Sequence, residues 1–374
     1  MPKSLYIHIP FCSKKCPYCD FYSLVYDSRL AAAYLKVLCR QIAGLGSDFS
    51  TLYIGGGTPS SLSITSLKKL LGSLRLISRN LREFTIEVNP ESIDQDKLKL
   101  FIEAGVNRIS IGVQSFFDPK LKKLGRAHNS EAAMRAIKLA KRAGFKDLGV
   151  DLIFGADGEA LADWLAELKQ AVSSGINHIS TYCLTYEKNT PLFLQIKRKF
   201  ITPLDDGILA KMYTGAVNYL TQQGFEHYEI SNFAQPGFES QHNMNYWQGN
   251  SYLGLGPAAV SFIGGKRERN ISGVIEYIER LNRGQNPVVF SESLSKRRQA
   301  QELAAIKVRT KEGIDFEWFK QRTGYDFPSL ENKALAQLLA KGLLKYRRKN
   351  KQITGVCLTK KGFCFADTVS SSFL

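Results

Sequence analysis

The strongest constraint on the fold is an alternation. Six runs rich in β-branched and aromatic residues, SLYIHI, TLYI, FTIEV, RISIGV, LGVDLIF and HISTYCL, are separated by segments whose apolar residues recur at helical spacing: Leu30 to Ile42, Leu67 to Ile77, Leu98 to Ala104, Ala132 to Ala143 and Trp164 to Val172. Helix punctuation falls where it should, with Ser63 or Ser66 and Asp94 as starts and Gly105, Gly144 and Gly175 as stops. Strand and helix at this pace predict an α/β fold: a parallel sheet with right-handed crossovers, either open or curled into a full or partial barrel. Chemistry in such a sheet gathers at the carboxyl ends of the strands, and the sequence bears polar and glycine features at those points. A three-cysteine cluster follows the first run, the GGGTPS loop from Gly55 to Ser60 follows the second, and Glu87 with Asn89 closes the third. Gln114 ends the fourth run, Asp151 lies within the fifth, and Tyr182 to Thr185 end the sixth.

After Thr190 the pattern changes. Asp205 to Gln223 reads as one long helix, followed by a strand-like GFEHYEISNF. Residues 236–262 read as an irregular loop, since QHNMNYWQGNSYLGLG holds six glycines and asparagines, and a loop of that kind suits the border of a site. From Ser295 onward the order is helix, short helix, a helix from Leu330 to Ala340, and a basic hairpin, KYRRKNKQITGVCLT, the order of a winged-helix module. The expected division is therefore 1–235, 236–294 as a linking segment, and 295–374 as a mostly helical winged-helix-like domain.

The chain of 374 residues carries a net charge of +17, and between Leu294 and Leu374 there are 17 basic against 7 acidic residues. Nucleic acid, an anionic membrane surface and an acidic small molecule all suit such a surplus. The hairpin charges also fit a plain solvated face, and sequence-specific nucleic-acid recognition is not expected. No apolar run approaches the roughly 18 residues of a membrane span, and the N-terminus lacks the order of a signal peptide, so a cytoplasmic location is expected.

Seven cysteines, an odd number unevenly spread, do not make a disulfide framework. Cys39, Cys183, Cys357 and Cys364 lie scattered in apolar surroundings and read as small buried hydrophobes. Cys12, Cys16 and Cys19 crowd into CSKKCPYC on a loop after the first strand. Zinc would need a fourth ligand, and no second CxxC or HxxxH pair lies nearby in sequence, although a distant ligand would suffice. An iron-sulfur cube is normally held by four thiolates, so three would leave one iron open to a ligand that does chemistry.

CSKKCPYC in this position resembles the cluster loop of the radical S-adenosylmethionine (SAM) superfamily, whose members hold a [4Fe-4S] cluster on CxxxCxxC after the first strand of a partial (βα)6 barrel. The likeness extends along almost the whole chain. LYIHIPFCSKKCPYCDFYS, YIGGGTPS, TIEVNPES, SIGVQSF, LGRAH and VDLIFG resemble the successive motifs of the oxygen-independent coproporphyrinogen III oxidase group. The resemblance implies that Cys12, Cys16 and Cys19 hold the cluster. It also implies that Tyr6 lies by the cofactor, that Tyr18 fills the aromatic slot between the last two cysteines, and that Gly56, Gly57 and Thr58 cradle the methionine end of SAM. Glu87 would bind its amino or ribose groups, with Gln114, Arg126 and Asp151 lining the rest of the pocket.

Two departures bear on function. The oxidases carry a fourth cysteine two residues after the third, where this chain has Phe21, and they carry a long N-terminal extension before the first strand. Both features resemble the HemW-type branch of the group, the haem chaperones. HNMNYW, from His242 to Trp247, matches the HNxxYW pattern of that branch. An imidazole can ligate haem iron and the aromatics can stack on a macrocycle, although His242 could equally cap a loop while Tyr246 and Trp247 pack in a core. The resemblance thus implies three cofactors ([4Fe-4S], SAM and haem), a haem-acceptor protein, and an electron donor for the cluster. Coproporphyrinogen oxidation is the alternative, with no catalytic side chain assigned in either case. The loop after Asp151, GADGE, departs from the family's proline-containing turn.

Overall fold

A computed structural model describes residues 2–374. The six expected strands form and run parallel in chain order: β1 Ser4–Ile9, β2 Thr51–Gly56, β3 Glu83–Val88, β4 Arg108–Gln114, β5 Asp147–Phe154 and β6 His178–Cys183. The crossovers are α1 Ser28–Ala43, α2 Ile64–Ser73, α3 Gln95–Glu103, α4 Ser130–Ala143 and α5 Leu161–Ser173. Side-chain caps start the first four: Asp27, Ser63, Asp94 and Asn129 each accept from a backbone N–H of the first turn. At the end of α4, Gly144 takes φ +104°, a conformation a side chain would oppose.

Strand alternation sorts the residues into two faces. Leu5, Ile7, Ile9, Leu52, Ile54, Phe84 and Ile86 are fully shielded under the helices, each burial contributing roughly 1.5–3 kcal/mol. The intervening residues, Tyr6, His8, Tyr53, Thr85, Glu87, Ser110, Asp151 and Ser180, face the other way, and the lumen of this partial barrel is therefore polar.

The chain from Asp205 onward differs from the sequence expectation in two places. GFEHYEISNF is not one strand but two short ones, Glu226–His227 and Asn232–Ala234, with a bend between them, and they close one edge of the sheet by antiparallel pairing next to β6. Residues 236–294, expected as a linking segment with a loop, extend the sheet at its other edge. Tyr252–Leu255 pairs parallel with β1, and Val260–Ile263, Lys266–Asn270 and Val288–Ser293 follow antiparallel, so that this sheet has twelve strands. HNMNYW itself is not a loop: Gln241–Trp247 is a helix, α7, whose N-cap Ser240 accepts from Asn243 N.

The long helix, α6, stands as expected, at Asp206–Gln222 with Asp205 as its cap. The C-terminal module has helices Lys296–Lys307, Phe316–Thr323 and Asn332–Ala340 around Phe319, Phe327 and Phe373, with a hairpin of Leu344–Lys349 and Gln352–Leu358 joined by a third short strand, Ile314–Asp315. It is tied to the barrel through Lys311 N to Tyr228 O (3.0 Å) and Arg322 Nη2 to Asn250 Oδ1 (2.7 Å). Among the described residues no helix is long and apolar enough to cross a membrane.

Candidate cluster and cofactor site

At the carboxyl ends of β1 to β6 lies a cavity of about 610 Å³, and its lining joins residues that are far apart in sequence: Cys12, Cys16 and Cys19 with Tyr18, Gly56, Gly57, Thr58, Glu87, Gln114, Arg126 and Asp151. Eleven of the thirteen residues singled out from the sequence thus line one pocket. Tyr6 sits deeper in the lumen, its hydroxyl 3.0 Å from His8 Nδ1. The remaining one, His242, lies elsewhere.

The cysteine loop is held on three sides. Backbone bonds pin its flanks, Leu24 N to Pro10 O and Tyr26 N to Cys12 O, both 2.8 Å, while Leu192 N reaches Pro17 O at 2.9 Å. Against it lies the GGGTPS loop, where Thr58 N donates to Phe11 O at 2.7 Å. The glycines there are required by contact. A Cβ on Gly57 would stand 2.7 Å from Phe11 O and 3.0 Å from Cys12 Sγ, and one on Gly56, at φ +112°, would stand 2.5 Å from His8 Nδ1. Burial raises the pKa of the Cys12 and Cys19 thiols, so a metal must displace their protons on binding. No group of three His, Cys, Asp or Glu side chains among the described residues converges to hold one metal ion, and a cube asks each thiolate for an iron of its own.

Around the cysteines the pocket is charged but enclosed. Glu87 accepts from Tyr53 Oη at 2.7 Å and from Gly56 N at 3.1 Å. Burial nonetheless lifts its pKa from 4.5 to about 7. Asp151, which accepts from Ser110 Oγ at 3.2 Å, is raised as well, again by burial. Burial opposes the charge of Arg126, yet Tyr18, Cys16 and Glu91 outweigh it and raise the pKa of the guanidinium. Arg126 Nη1 lies 3.4 Å from both Cys16 Sγ and Tyr18 Oη, Nη2 donates to Gly112 O at 3.0 Å, and the buried Nε has no partner among the described residues. An orphaned cationic donor, a raised carboxyl and a cradle of bare backbone fit a ligand with both carboxylate and ammonium groups, which is what the amino-acid end of SAM offers. Gln114 reaches the rim from the irregular end of β4 with φ +63°, a strained conformation for a side-chain-bearing residue.

The loop after β5 takes its shape from an acid instead of a proline: Glu159 accepts from Gly155 N and Ala156 N at 2.8 and 2.9 Å and pairs with the buried Lys120. Phe21 stands at the mouth of the pocket, 70% exposed.

His242 is at the opposite end of the barrel. It packs under Thr51 and Tyr53 at the start of β2 and is 1% exposed. A strand of six residues separates it from the cysteines, roughly 17–20 Å. Thr51 Oγ1 donates to Ser4 Oγ, so His242 Nδ1 must donate to Thr51 (2.8 Å), and Nε2 then accepts from Tyr246 Oη (2.9 Å). Burial lowers its pKa to about 3, which keeps the ring neutral. The structure thus gathers the residues expected to bind SAM and leaves the expected haem ligand apart from them. Sequence reasoning placed Asn89 at a strand end and gave it no role, and the signal that reveals its partners is tertiary only.

Comparison with known proteins adds the following. Residues 6–171 match the Radical SAM superfamily, and residues 294–365 match the HemN C-terminal domain. The chain is 35% identical over its full length to Heme chaperone HemW of Bacillus subtilis, covering 99% of that protein, and 33% identical over its full length to the protein of that name from Mycobacterium tuberculosis, covering 95%. It is 41% identical over 69% of both chains to Heme chaperone HemW of Escherichia coli. The solved structure of coproporphyrinogen III oxidase (HemN) from Escherichia coli superposes with a TM-score of 0.84 at 24% identity, covering all of this chain and 90% of the other, which establishes the shared fold.

Proposed function

Since this chain belongs to the HemW family of the radical SAM superfamily, we propose that it is a haem chaperone, which binds haem and passes it to an acceptor protein. The observation that carries the reading is the separation of its two functional ends. A pocket with three cysteines and a cradle for SAM occupies the carboxyl end of the barrel, and Phe21 stands in it where the oxidases have a cysteine. The HNxxYW helix lies at the other end, out of reach of that pocket. An oxidase needs its porphyrin beside the radical source, and a carrier does not.

When bound, the cluster and SAM supply one-electron chemistry, with an electron donor still to be identified. Residues of the chain do the remainder. Cys12, Cys16 and Cys19 hold the cluster, Gly56 to Thr58 give bare backbone to the cofactor, and Glu87 with Arg126 offers one charge to each end of a zwitterion. For haem, His242 is the ligand this reading selects. Its Nε2 lone pair is engaged by the Tyr246 hydroxyl, so ligation requires α7 or the Tyr246 ring to shift.

Titrating the protein with haem while recording its absorbance spectrum should show saturation near one haem per chain, and His242→Ala should remove the ligated spectrum. Tyr246→Phe frees Nε2 and should tighten binding several-fold. A protein that takes up no haem sinks the proposal. An anaerobic assay with reductant, SAM and coproporphyrinogen III is expected to give no product, and turnover there would favour the oxidase.

A further inference from the structure

Two of the three cysteine sulfurs are linked by an unbroken chain of side chains with Asn89 at its centre. Asn89 Oδ1 accepts from Arg126 Nη2 at 2.8 Å, and Asn89 Nδ2 donates to Thr58 Oγ1 at 3.0 Å. The Thr58 hydroxyl in turn donates to Cys12 Sγ at 3.5 Å, while the other arm of Arg126 lies 3.4 Å from Cys16 Sγ. The fold makes room for this amide. A Cβ on Gly112 would stand 2.6 Å from Asn89 Oδ1, and Asn89's own N–H is fixed by Ser60 Oγ at 3.2 Å.

We propose that Asn89 is a positioning residue for the cluster, relaying the charge of Arg126 through the Thr58 hydroxyl to the Cys12 sulfur and so raising the cluster's reduction potential. The inference rests on the reading that the three cysteines hold a [4Fe-4S] cluster.

The direction of the chain is what demands an amide. Arg126 can only donate, so its partner must accept, and a Thr58 hydroxyl that spends its proton on sulfur needs a donor behind it. Asparagine does both at once. Aspartate would accept from both sides, and the Thr58 proton would turn to the carboxylate and leave Cys12. Leucine would keep the volume and offer neither bond. Hydrogen bonds to the sulfurs and local net charge are among the terms that set cluster potential, both favouring the reduced form when they bring positive charge nearer.

The test is redox titration of anaerobically reconstituted protein, followed by absorbance and electron paramagnetic resonance, with iron counted per chain. Asn89→Leu and Thr58→Val should each shift the midpoint to more negative potential, and Asn89→Asp should shift it further because it adds a charge as well as losing the bond. In a Thr58→Val background, Asn89→Leu should add nothing, since both break the same chain. A residue that served only folding would change melting temperature or iron content and leave the midpoint of the remaining clusters alone. Midpoints of Asn89→Leu and Thr58→Val equal to that of the parent would overturn the inference, as would additive shifts in the double variant. If the parent binds no iron, the cluster reading itself fails, which is a different result. Should Asn89→Leu fold poorly, Thr58→Val and Asn89→Asp carry the comparison.

Discussion

Glu87 is the residue whose chemistry depends most directly on where the fold puts it. On a free chain its carboxyl would ionise near 4.5, and inside the barrel it does so at about 7 because burial outweighs the bonds from Tyr53 and Gly56. The folded chain holds the proton more tightly than the unfolded one, so stability falls as pH rises from 4.5 through 7. A cationic group beside Glu87 reverses that cost. Affinity for SAM, measured by equilibrium dialysis, should therefore rise severalfold between pH 6 and pH 8, and Glu87→Gln should flatten the profile. Tyr53→Phe should move its midpoint to higher pH by removing a bond to the charged form. At this scale the sequence was highly legible for residues that belong to contiguous motifs: CSKKCPYC, GGGTPS and the ends of the strands all reach the one pocket. Asn89 was illegible as a hub because its partners, Thr58 and Arg126, lie 31 and 37 residues away. His242 was recognisable as an imidazole with aromatic company, but local sequence could not reveal that both its nitrogens are already taken.

Helix α7 shows where element-scale reading falls short. Seven residues rich in asparagine have little helical propensity, and a short helix in isolation is unstable. Tertiary contacts supply what the segment lacks. The Glu83 carboxylate, at the start of β3, accepts from Ser240 Oγ at 3.1 Å, Gln241 N at 2.6 Å and His242 N at 3.1 Å, so the first turn of α7 is capped by a strand 157 residues upstream. Glu83→Ala should lower the unfolding free energy by about 3 kcal/mol, the scale for leaving buried partners of a charged acceptor unsatisfied, as measured by denaturant titration. A change below about 1 kcal/mol would mean that α7 stands without it. The β-strands of 252–293 escaped notice for a related reason. KRERN and VSFI lack the apolar continuity of β1 to β6, since these strands lie at the edge of the sheet, beyond the helices that bury the others. The helices that did read correctly carried their own caps, as Ser63 and Asp94 show.

Across the whole molecule, charge and chemistry are set apart. Between Asn332 and Ala366 there are nine Lys and Arg side chains and no acid, and among the described residues none of the nine is in an ion pair. Most of them ride on the hairpin Leu344–Leu358 and its flanks, outside the lining of the cysteine pocket. Reversing Arg347, Arg348 and Lys349 to glutamate should make the protein elute much earlier from a cation exchanger while its affinities for SAM and haem stay within about twofold. A larger change in either affinity would show that the basic hairpin belongs to a binding site. Sequence alone located this surplus but could not say which face it left free, because that depends on how the module docks through Lys311 and Arg322.

The floor of the barrel has a further consequence. Glu83, Arg108, His178 and His242 are all nearly sealed from solvent beneath the lumen, so the cysteine pocket is approached from the carboxyl ends of the strands. On the proposed reading the cluster and SAM would share this mouth, so Phe21 stands where each of them would have to pass.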